Sequence, residues 1–422
     1  MSKKHSDKPI ITHLTDTDFY KFTMGYFAYR LYQMIQVIYG FKNRTKSVRL
    51  GNHVDIGRLR EELEHLRTLR FTSSELFFLG EQKRSNGNPL FPDMYLDFMY
   101  KKFRMPEFHL EKTPDNDYDL TFGHDSFWPH SMMGETLVLS IMTELYGRDL
   151  TKHMTDMEYE GVLNEGRRRR DEKIKLLQQH SNVTFMEFAT RRRFSRDWQY
   201  ETVEEMAKRL PGQIVGTSNV YLAMKLGIPV KGTMAHELFM VLAALASVLG
   251  DKELLASHNE VLQLWESLYG PDLLIALTDT FGSDFFFRDM TARQAASWKG
   301  FRQDSGDPIE FGEKQLQFYE RVKVDPHTKL LVPSDGLDVD KMINIADHFQ
   351  GRIPFQAGWG TTSSNDLGFK TLSMVVKAIS ANGVGTVKLS DNLAKAMGSP
   401  ENIERYTRVF GYTRNDYVEC RV

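Results

Sequence analysis

Short apolar segments alternate with amphipathic segments from about residue 130 to residue 390. The amphipathic segments have apolar residues three and four positions apart, which predicts helices, the first over 134–147 and 157–180. The apolar segments end in glycine or polar residues; they are VTFMEFA (183–189), QIVGTSN (213–219), PVKGTMAH (229–236), LLIALTDTFG (273–282), KGFRQDSGDP (299–308), LLVPSDGLD (330–338), FQAGWGTTSSN (355–365) and TVKLS (386–390). This alternation predicts the α/β class, as a parallel sheet or a barrel, with the chemistry at the strand ends.

The first 125 residues have a different pattern. Residues 19–33 and 58–80 have helical spacing, whereas 36–44 and several short segments within 95–122 have the composition of strands. SNGNPLFPD (85–93) is typical of a loop. We therefore expect an α+β unit before the βα repeats.

Composition and charge exclude several classes of protein. The 54 basic and 56 acidic residues give a net charge of −2, which argues against bulk nucleic-acid binding. A single cysteine, Cys420, allows no internal disulfide and suggests a reducing compartment. The N-terminus has no apolar core of a signal peptide, and the longest apolar run, 238–250, is too short to cross a bilayer. We expect a cytoplasmic protein without a membrane partner.

The predicted strand ends carry residues that suit a phosphorylated substrate. Arg191, Arg192 and Arg193 follow one strand, and at least one of them is expected to face a carboxylate or phosphate. Asp279 ends another strand, and Arg302, Asp304 and Asp307 surround a glycine after a third. Hydroxyl and glycine residues that can hold a phosphate follow other strands: Thr217, Ser218, Ser334, Gly336, Gly358, Gly360 and Thr361. The run RRRR (167–170) lies among acidic residues and predicts an ion-paired helix face.

Eight motifs in order resemble the nicotinate phosphoribosyltransferases of the type II phosphoribosyltransferase group. They are TDTDFYK, EFATRRRFS, GTSNVYLA, GTMAHE, TDTFGSD, FRQDSGDP, SDGLD and GWGT, and they span about residues 15 to 410. The resemblance implies transfer of phosphoribosyl from phosphoribosyl pyrophosphate to nicotinate, coupled to ATP hydrolysis, with Mg²⁺ as a cofactor. It also implies an irregular α/β barrel over 131–384, an α+β domain over 1–130 completed by about 385–422, and a homodimer with shared active sites.

The resemblance also implies roles for individual residues. His236, in GTMAHE, would be phosphorylated by ATP. Asp279 would lie near the diphosphate and the metal, with Mg²⁺ held mainly through substrate phosphates. Arg302 would neutralise the leaving group, and Asp304 would hold the ribose hydroxyls. The second nitrogen of His236 needs an acceptor, and the sequence leaves Glu237 and Asp279 both open.

The pyridine ring is expected between two aromatic side chains. Phe188, and Tyr20 supplied by the partner chain, match the residues that sandwich the ring in related nicotinamide enzymes, although Ala189 stands where relatives often have glycine. Those nicotinamide enzymes carry aspartate at the position of Ser218, whose hydroxyl here can donate to a carboxylate. With Arg191 as the opposite charge, this predicts nicotinate rather than nicotinamide.

Three other functions compete with this interpretation. A quinolinate phosphoribosyltransferase would need more cationic side chains and no ATP. A catalytically silent paralogue would have lost strand-end residues that this chain keeps. A metalloenzyme with histidine ligands is disfavoured because the thirteen histidines show no HxH or HExxH spacing.

Overall fold

The computed structural model describes residues 8–414. Its helices are α1 (Tyr20–Leu31), α2 (Ile56–Thr68), α3 (Ser73–Gly80), α4 (Asp93–Lys101), α5 (Trp128–Ser131), α6 (Gly134–Thr151), α7 (Asp156–Gln178), α8 (Arg196–Arg209), α9 (Val220–Leu226), α10 (His236–Ser247), α11 (Asp251–Tyr269), α12 (Ser283–Asp289), α13 (Ala292–Ser297), α14 (Pro308–Val322), α15 (Val339–Phe349), α16 (Thr361–Ser364) and α17 (Pro400–Phe410). Its strands are β1 (Val37–Asn43), β2 (Phe108–Lys112), β3 (Tyr118–Phe122), β4 (Phe185–Glu187), β5 (Ile214–Thr217), β6 (Ile275–Leu277), β7 (Gly300–Gln303), β8 (Leu330–Pro333), β9 (Ala357–Trp359), β10 (Met374–Ala381) and β11 (Val384–Gly385). The predicted mixed α/β character is therefore confirmed.

An antiparallel sheet combines both ends of the described chain. Its strand order is β11-β10-β1-β3-β2, and β10 pairs with β1 along the whole length of β1. The prediction of short strands within 95–122 was wrong for the first part of that range, because α4 covers it as far as Lys101 and buries Tyr95 and Met99 at helical spacing. Residues 374–385 thus join the N-terminal sheet, while the division into domains at 130 and 384 stays a prediction.

Two parallel three-stranded sheets hold the βα repeats. Their orders are β5-β4-β9 and β6-β7-β8. A parallel bridge between Leu331 and Phe355 joins the two sheets on one side, and Val230 forms a single parallel bridge with Thr217. On the other side the hydroxyl of Thr233 donates to the carbonyl of Ile275 at 3.1 Å.

The described backbone does not close these strands into one continuous barrel. Residues 229–236 and 386–390, both predicted as strands, form single bridges, through Val230 to Thr217 and through Lys388 to Met397. Each of these segments contributes side chains to the candidate site instead of a run of ladder bonds. The α/β class is thus confirmed, and the barrel stays a prediction.

Helices cover the outside of the parallel sheets. α10 is almost wholly buried, but the predicted apolar run continues to Val248 and Leu249, which are exposed beyond the helix end. The arginines of α7 form the expected ion pairs, such as Arg168 with Glu165 at 2.7 Å; Arg170 is buried and pairs with Glu201 at 3.1 Å. Within residues 8–414 no helix is both long and apolar enough to cross a membrane. Cys420 lies outside the described residues.

Candidate active site

One cavity of about 340 Å³ lies where the strands of both parallel sheets end. Most of the predicted site residues line it: Tyr20, Phe188, Arg191, His236, Arg302, Asp304, Ser334, Gly336, Gly358, Gly360 and Thr361. They come from six separate chain segments, so the fold brings together residues that the sequence distributes over about 340 positions. Asp279, Thr217 and Ser218 do not line the cavity.

His236 is the first residue of α10 and is 3% exposed. Its Nδ1 lies 3.0 Å from the hydroxyl of Thr280. Its Nε2 lies 2.8 Å from a carboxylate oxygen of Asp304 and 2.9 Å from Nζ of Lys388. The ring is therefore held by a hydroxyl at one nitrogen and by a carboxylate and an ammonium at the other.

Neither acceptor expected for the histidine contacts it closely. Asp279 lies 3.7 Å from Nε2 of His236. Glu237 points the other way and accepts from Lys21 at 2.7 Å and from the indole of Trp128 at 2.7 Å. Glu237 thus ties the start of α10 to the core, where it neutralises the fully buried ammonium of Lys21.

Burial and charge keep this histidine neutral. Burial, and then the ammonium of Lys388, lowers the pKa of His236 to about 4. Burial also lowers the pKa of Lys388 to about 8. Since an ammonium beside the ring disfavours the imidazolium, His236 is neutral at neutral pH and keeps a lone pair on one ring nitrogen.

Asp279 lies behind the histidine and has no exposed surface. One oxygen accepts from Ser305 at 2.5 Å and from Ser390 at 3.2 Å, whereas Oδ1 has no hydrogen-bond partner among the described residues. Burial opposes its ionisation, but Lys388 and His236 outweigh burial and lower the pKa of Asp279. Asp279 is therefore an ionised carboxylate with one oxygen available to a cation.

The same cluster could hold a divalent cation. His236, Asp279 and Asp304 offer ligand atoms that lie within 4.8 Å of one another. The two carboxylates provide the oxygen ligands that Mg²⁺ prefers, and the unpartnered Oδ1 of Asp279 fits this use. The ammonium of Lys388, 3.7 Å from Asp279, already supplies positive charge there.

The three consecutive arginines divide between cavity and core. Arg191 and Arg192 line the cavity. Burial, and then its neighbour Arg191, lowers the pKa of Arg192 to about 9. Arg193 is fully buried and donates two bonds to Asp16, at 2.6 and 2.8 Å. A short 3-10 turn over Thr190–Arg192 produces this division, and Arg191 and Arg192 remain for a ligand.

Tyr20 and Phe188 of one chain line the same cavity. Tyr20 begins α1, and its backbone lies so close to Gly232 that a Cβ there would be 2.9 Å from the Tyr20 nitrogen. The resemblance implied a tyrosine from the partner chain at this position. Both side chains thus line the cavity within one chain, and the supply of this tyrosine by a partner chain stays a prediction.

Ser218 and Thr217 bind protein groups instead of facing the cavity. The hydroxyl of Ser218 donates to Asp18 at 2.6 Å, and that of Thr217 donates to Glu187 at 2.5 Å. Asp18 itself lines the cavity. The side chain that faces the cavity beside this loop is thus the carboxylate of Asp18, which the sequence analysis did not predict as a site residue.

Comparison with known proteins agrees with this geometry. The sequence pattern of the nicotinate phosphoribosyltransferase (NAPRTase) family matches residues 183–414, and that of the family's N-terminal domain matches residues 15–143. The chain belongs to this family. A nicotinate phosphoribosyltransferase from Porphyromonas gingivalis is similar in structure, with 29% identity, a TM-score of 0.83, and coverage of 95% of this chain and 100% of that one. The nicotinate phosphoribosyltransferase of Vibrio cholerae has 27% identity and a TM-score of 0.86 over 98% and 96% of the two chains.

Family membership decides between the competing functions. The chain is an enzyme of the nicotinate phosphoribosyltransferase type, which contradicts both the quinolinate alternative and the silent-paralogue alternative. The histidine-rich metal site is not supported either, since the one cluster of ligand-type side chains within residues 8–414 contains a single histidine.

The sequence missed several cationic residues of this nicotinate phosphoribosyltransferase site. Arg44, Lys377, Lys388 and Lys395 all line the cavity. Lys395 donates to the backbone carbonyl of Asp304 at 2.7 Å. Lys388 lies in TVKLS (386–390), one of the repeated apolar segments, so the sequence could have predicted it as a site residue. No motif marks Arg44, Lys377 or Lys395.

Proposed function

We infer that the protein transfers the phosphoribosyl group of phosphoribosyl pyrophosphate to nicotinate, giving nicotinate mononucleotide and pyrophosphate for NAD biosynthesis. We further infer that ATP is hydrolysed to ADP and phosphate through a transient phosphohistidine at His236. The observation that carries this proposal is the buried, neutral His236 at the wall of a cavity that also contains aromatic and cationic side chains.

The first reaction needs alignment and neutralisation of charge. The pyridine nitrogen attacks C1 of the ribose, the N–C bond forms, and the C1–oxygen bond to pyrophosphate breaks. Phe188 and Tyr20 would hold the ring, and their π faces favour the pyridinium that forms. Arg302 and Lys388 would neutralise the leaving pyrophosphate, which carries both electrons of the broken bond.

The remaining polar groups suit the rest of the donor substrate. Asp304 would hold the ribose hydroxyls, and the hydroxyls and backbone N–H groups of Ser334, Gly336, Gly358, Gly360 and Thr361 suit a phosphate monoester. Asp279 and Asp304 would contribute oxygen ligands to Mg²⁺, which is held mainly by the substrate phosphates. When bound, Mg²⁺ would neutralise developing negative charge on the diphosphate.

The coupled reaction would use Nε2 of His236. Its lone pair attacks the γ-phosphorus of ATP, the bond to the ADP oxygen breaks, and water later releases phosphate and restores the ring. Thr280 would hold the Nδ1–H during attack. Lys388 and Asp304, 2.9 and 2.8 Å from the reacting nitrogen, must both move off it before attack, and the ammonium of Lys388 can then neutralise the phosphoryl group.

Replacement of His236 by asparagine tests the coupling. We expect His236→Asn to keep phosphoribosyl transfer at a reduced level and to lose ATP hydrolysis and its stimulation by substrate. Wild type incubated with γ-labelled ATP should carry label on a peptide containing His236. His258, a buried histidine paired with Asp289 away from the cavity, provides the control variant His258→Asn. Retained coupled ATP hydrolysis in His236→Asn would contradict the assignment.

The homodimer with shared sites remains a prediction. The supply of Tyr20 by a partner chain is part of the same prediction, and Tyr20 and Phe188 of one chain line one cavity. The cytoplasmic location likewise remains an expectation from the sequence.

A further inference from the structure

Asp18 is a buried carboxylate at the wall of the cavity. It is 2% exposed, and each of its oxygens accepts from a hydroxyl: Oδ1 from Ser218 at 2.6 Å and Oδ2 from Thr136 at 3.1 Å. Its backbone forms an antiparallel bridge with Asn219. Asp18 is therefore fixed in position, with Tyr20 and Arg191 on the same cavity wall.

This arrangement raises a problem for a negatively charged substrate. Ser218 was expected to donate to the nicotinate carboxylate, but its proton is committed to Asp18. The protein therefore presents the carboxylate of Asp18 beside Arg191, on the part of the wall to which the proposed function assigns the nicotinate carboxylate. Two carboxylates at hydrogen-bond distance cannot both be ionised without a large electrostatic cost, and one of them takes up a proton.

The surroundings of Asp18 favour that proton. Burial raises the pKa of Asp18; the hydrogen bond from Ser218, and then Arg191, act against this effect, and the neighbouring Glu135 adds to it. Two other groups also interact with Asp18: the carboxylate of Glu187 in β4 and the hydroxyl of Tyr20. The pKa of each is raised, and burial is the largest cause. Arg191 thus opposes the effect of burial and of Glu135 on Asp18.

We propose that Asp18 takes up one proton when nicotinate binds, so that its carboxyl group donates a hydrogen bond to the substrate carboxylate while Arg191 supplies the positive charge. The proton comes from solvent and returns to it when the product leaves. This inference rests on the proposed function, and it makes Asp18 a residue that determines which pyridine is used.

The proposal predicts a selectivity that depends on pH. Protonated Asp18 donates to a carboxylate, whereas ionised Asp18 can only accept, which suits the amide NH₂ of nicotinamide. Above the pKa of Asp18, kcat/KM for nicotinate relative to nicotinamide should fall about tenfold for each pH unit. A ratio that stays constant from pH 6 to 9 would overturn the proposal.

Calorimetry with the two product mononucleotides gives a direct test. Nicotinate mononucleotide and nicotinamide mononucleotide carry the same phosphate and differ in the carboxylate alone. Titrations of the wild-type protein in two buffers of different ionisation enthalpy at pH 8 yield the number of protons taken up. We expect about one proton more for the nicotinate compound.

Two variants locate the proton. Asp18→Asn keeps an acceptor for Ser218 and should abolish the difference between the two mononucleotides. Asp338→Asn removes another carboxylate of the cavity wall and keeps the helix cap on α15, so the difference should persist. Equal proton uptake for both compounds in wild type, or an unchanged difference in Asp18→Asn, would refute the role of Asp18. Product formation from nicotinate, measured separately, shows whether the proposed function itself holds.

Discussion

Replacement of Lys388 by methionine removes the ammonium that contacts His236 and keeps most of the side-chain volume. Two unit charges at the 2.9 Å that separates Lys388 from Nε2 would interact by about 6 kcal/mol at an effective dielectric constant of 20. Relaxation around the lost charge reduces this upper bound, and a neighbouring charge typically moves a pKa by about 1 to 3 pH units.

The direction of the change follows from the groups that remain. Asp304 and Asp279 favour the imidazolium, and Lys388 opposes it. Without the ammonium, the pKa of His236 should rise from about 4 in the wild type by about 1 to 3 pH units. At pH 6 a measurable fraction of the rings would then be protonated and would lack the lone pair that the proposed attack on ATP needs.

Nuclear magnetic resonance of protein labelled at the histidine rings measures this pKa directly. The His236 signals are identified by their loss in His236→Asn. Lys395→Met is the matched control, because Lys395 contacts the backbone of Asp304 and the carboxylate of Asp335 instead of the ring. Lys388→Met should titrate between about pH 5 and 7, while the control should resemble wild type. A Lys388→Met protein in which His236 still titrates near pH 4 would refute the reasoning.

Two further predictions concern the scaffold that positions the site. Asp16→Asn should lower the free energy of unfolding by about 3 to 5 kcal/mol in urea denaturation, because it leaves the buried guanidinium of Arg193 without its counter-charge. The control Asp97→Asn, in an exposed ion pair, should lower it by less than about 1 kcal/mol, and equal effects of the two variants would contradict the prediction. Gly216→Ala should cost at least about 2 kcal/mol by the same assay, since φ is +144° and a Cβ would lie 2.2 Å from the Pro229 carbonyl oxygen; a neutral effect would exclude the steric argument.

The strand ends of the parallel sheets were predictable because each combines two local signals. An apolar run marks a buried strand, and a glycine or small polar residue marks its end, so residues such as Ser334 and Gly358 could be assigned to one edge from the sequence. What the sequence could not give was the direction of each side chain. Ser218 and Asp304 were both assigned to substrate, yet Ser218 donates to Asp18 and Asp304 contacts His236.

The cationic residues were hard to predict for a different reason. Lys388 reaches His236 across 152 positions of sequence, and no local pattern encodes a contact of that separation. The same applies to Lys377, whose side chain extends from β10 of the antiparallel sheet and pairs with Glu135 at 2.9 Å. Arg44 directly follows β1. The sequence pattern predicts this strand, but no motif there marks a site residue.

The segment 386–395 connects the two parts of the fold at the active site. It follows directly after β11 of the antiparallel sheet and carries Lys388 and Ser390 to Asp279, at the carboxyl end of β6. Lys395, at its end, donates to Asp335 at 2.6 Å, just beyond β8. A change in the antiparallel sheet that displaces this segment would therefore alter the environment of His236 without touching any parallel strand. The parallel sheets thus provide Asp279 and Asp304, and this segment provides Lys388 and Lys395, so both parts of the fold set the charge around His236.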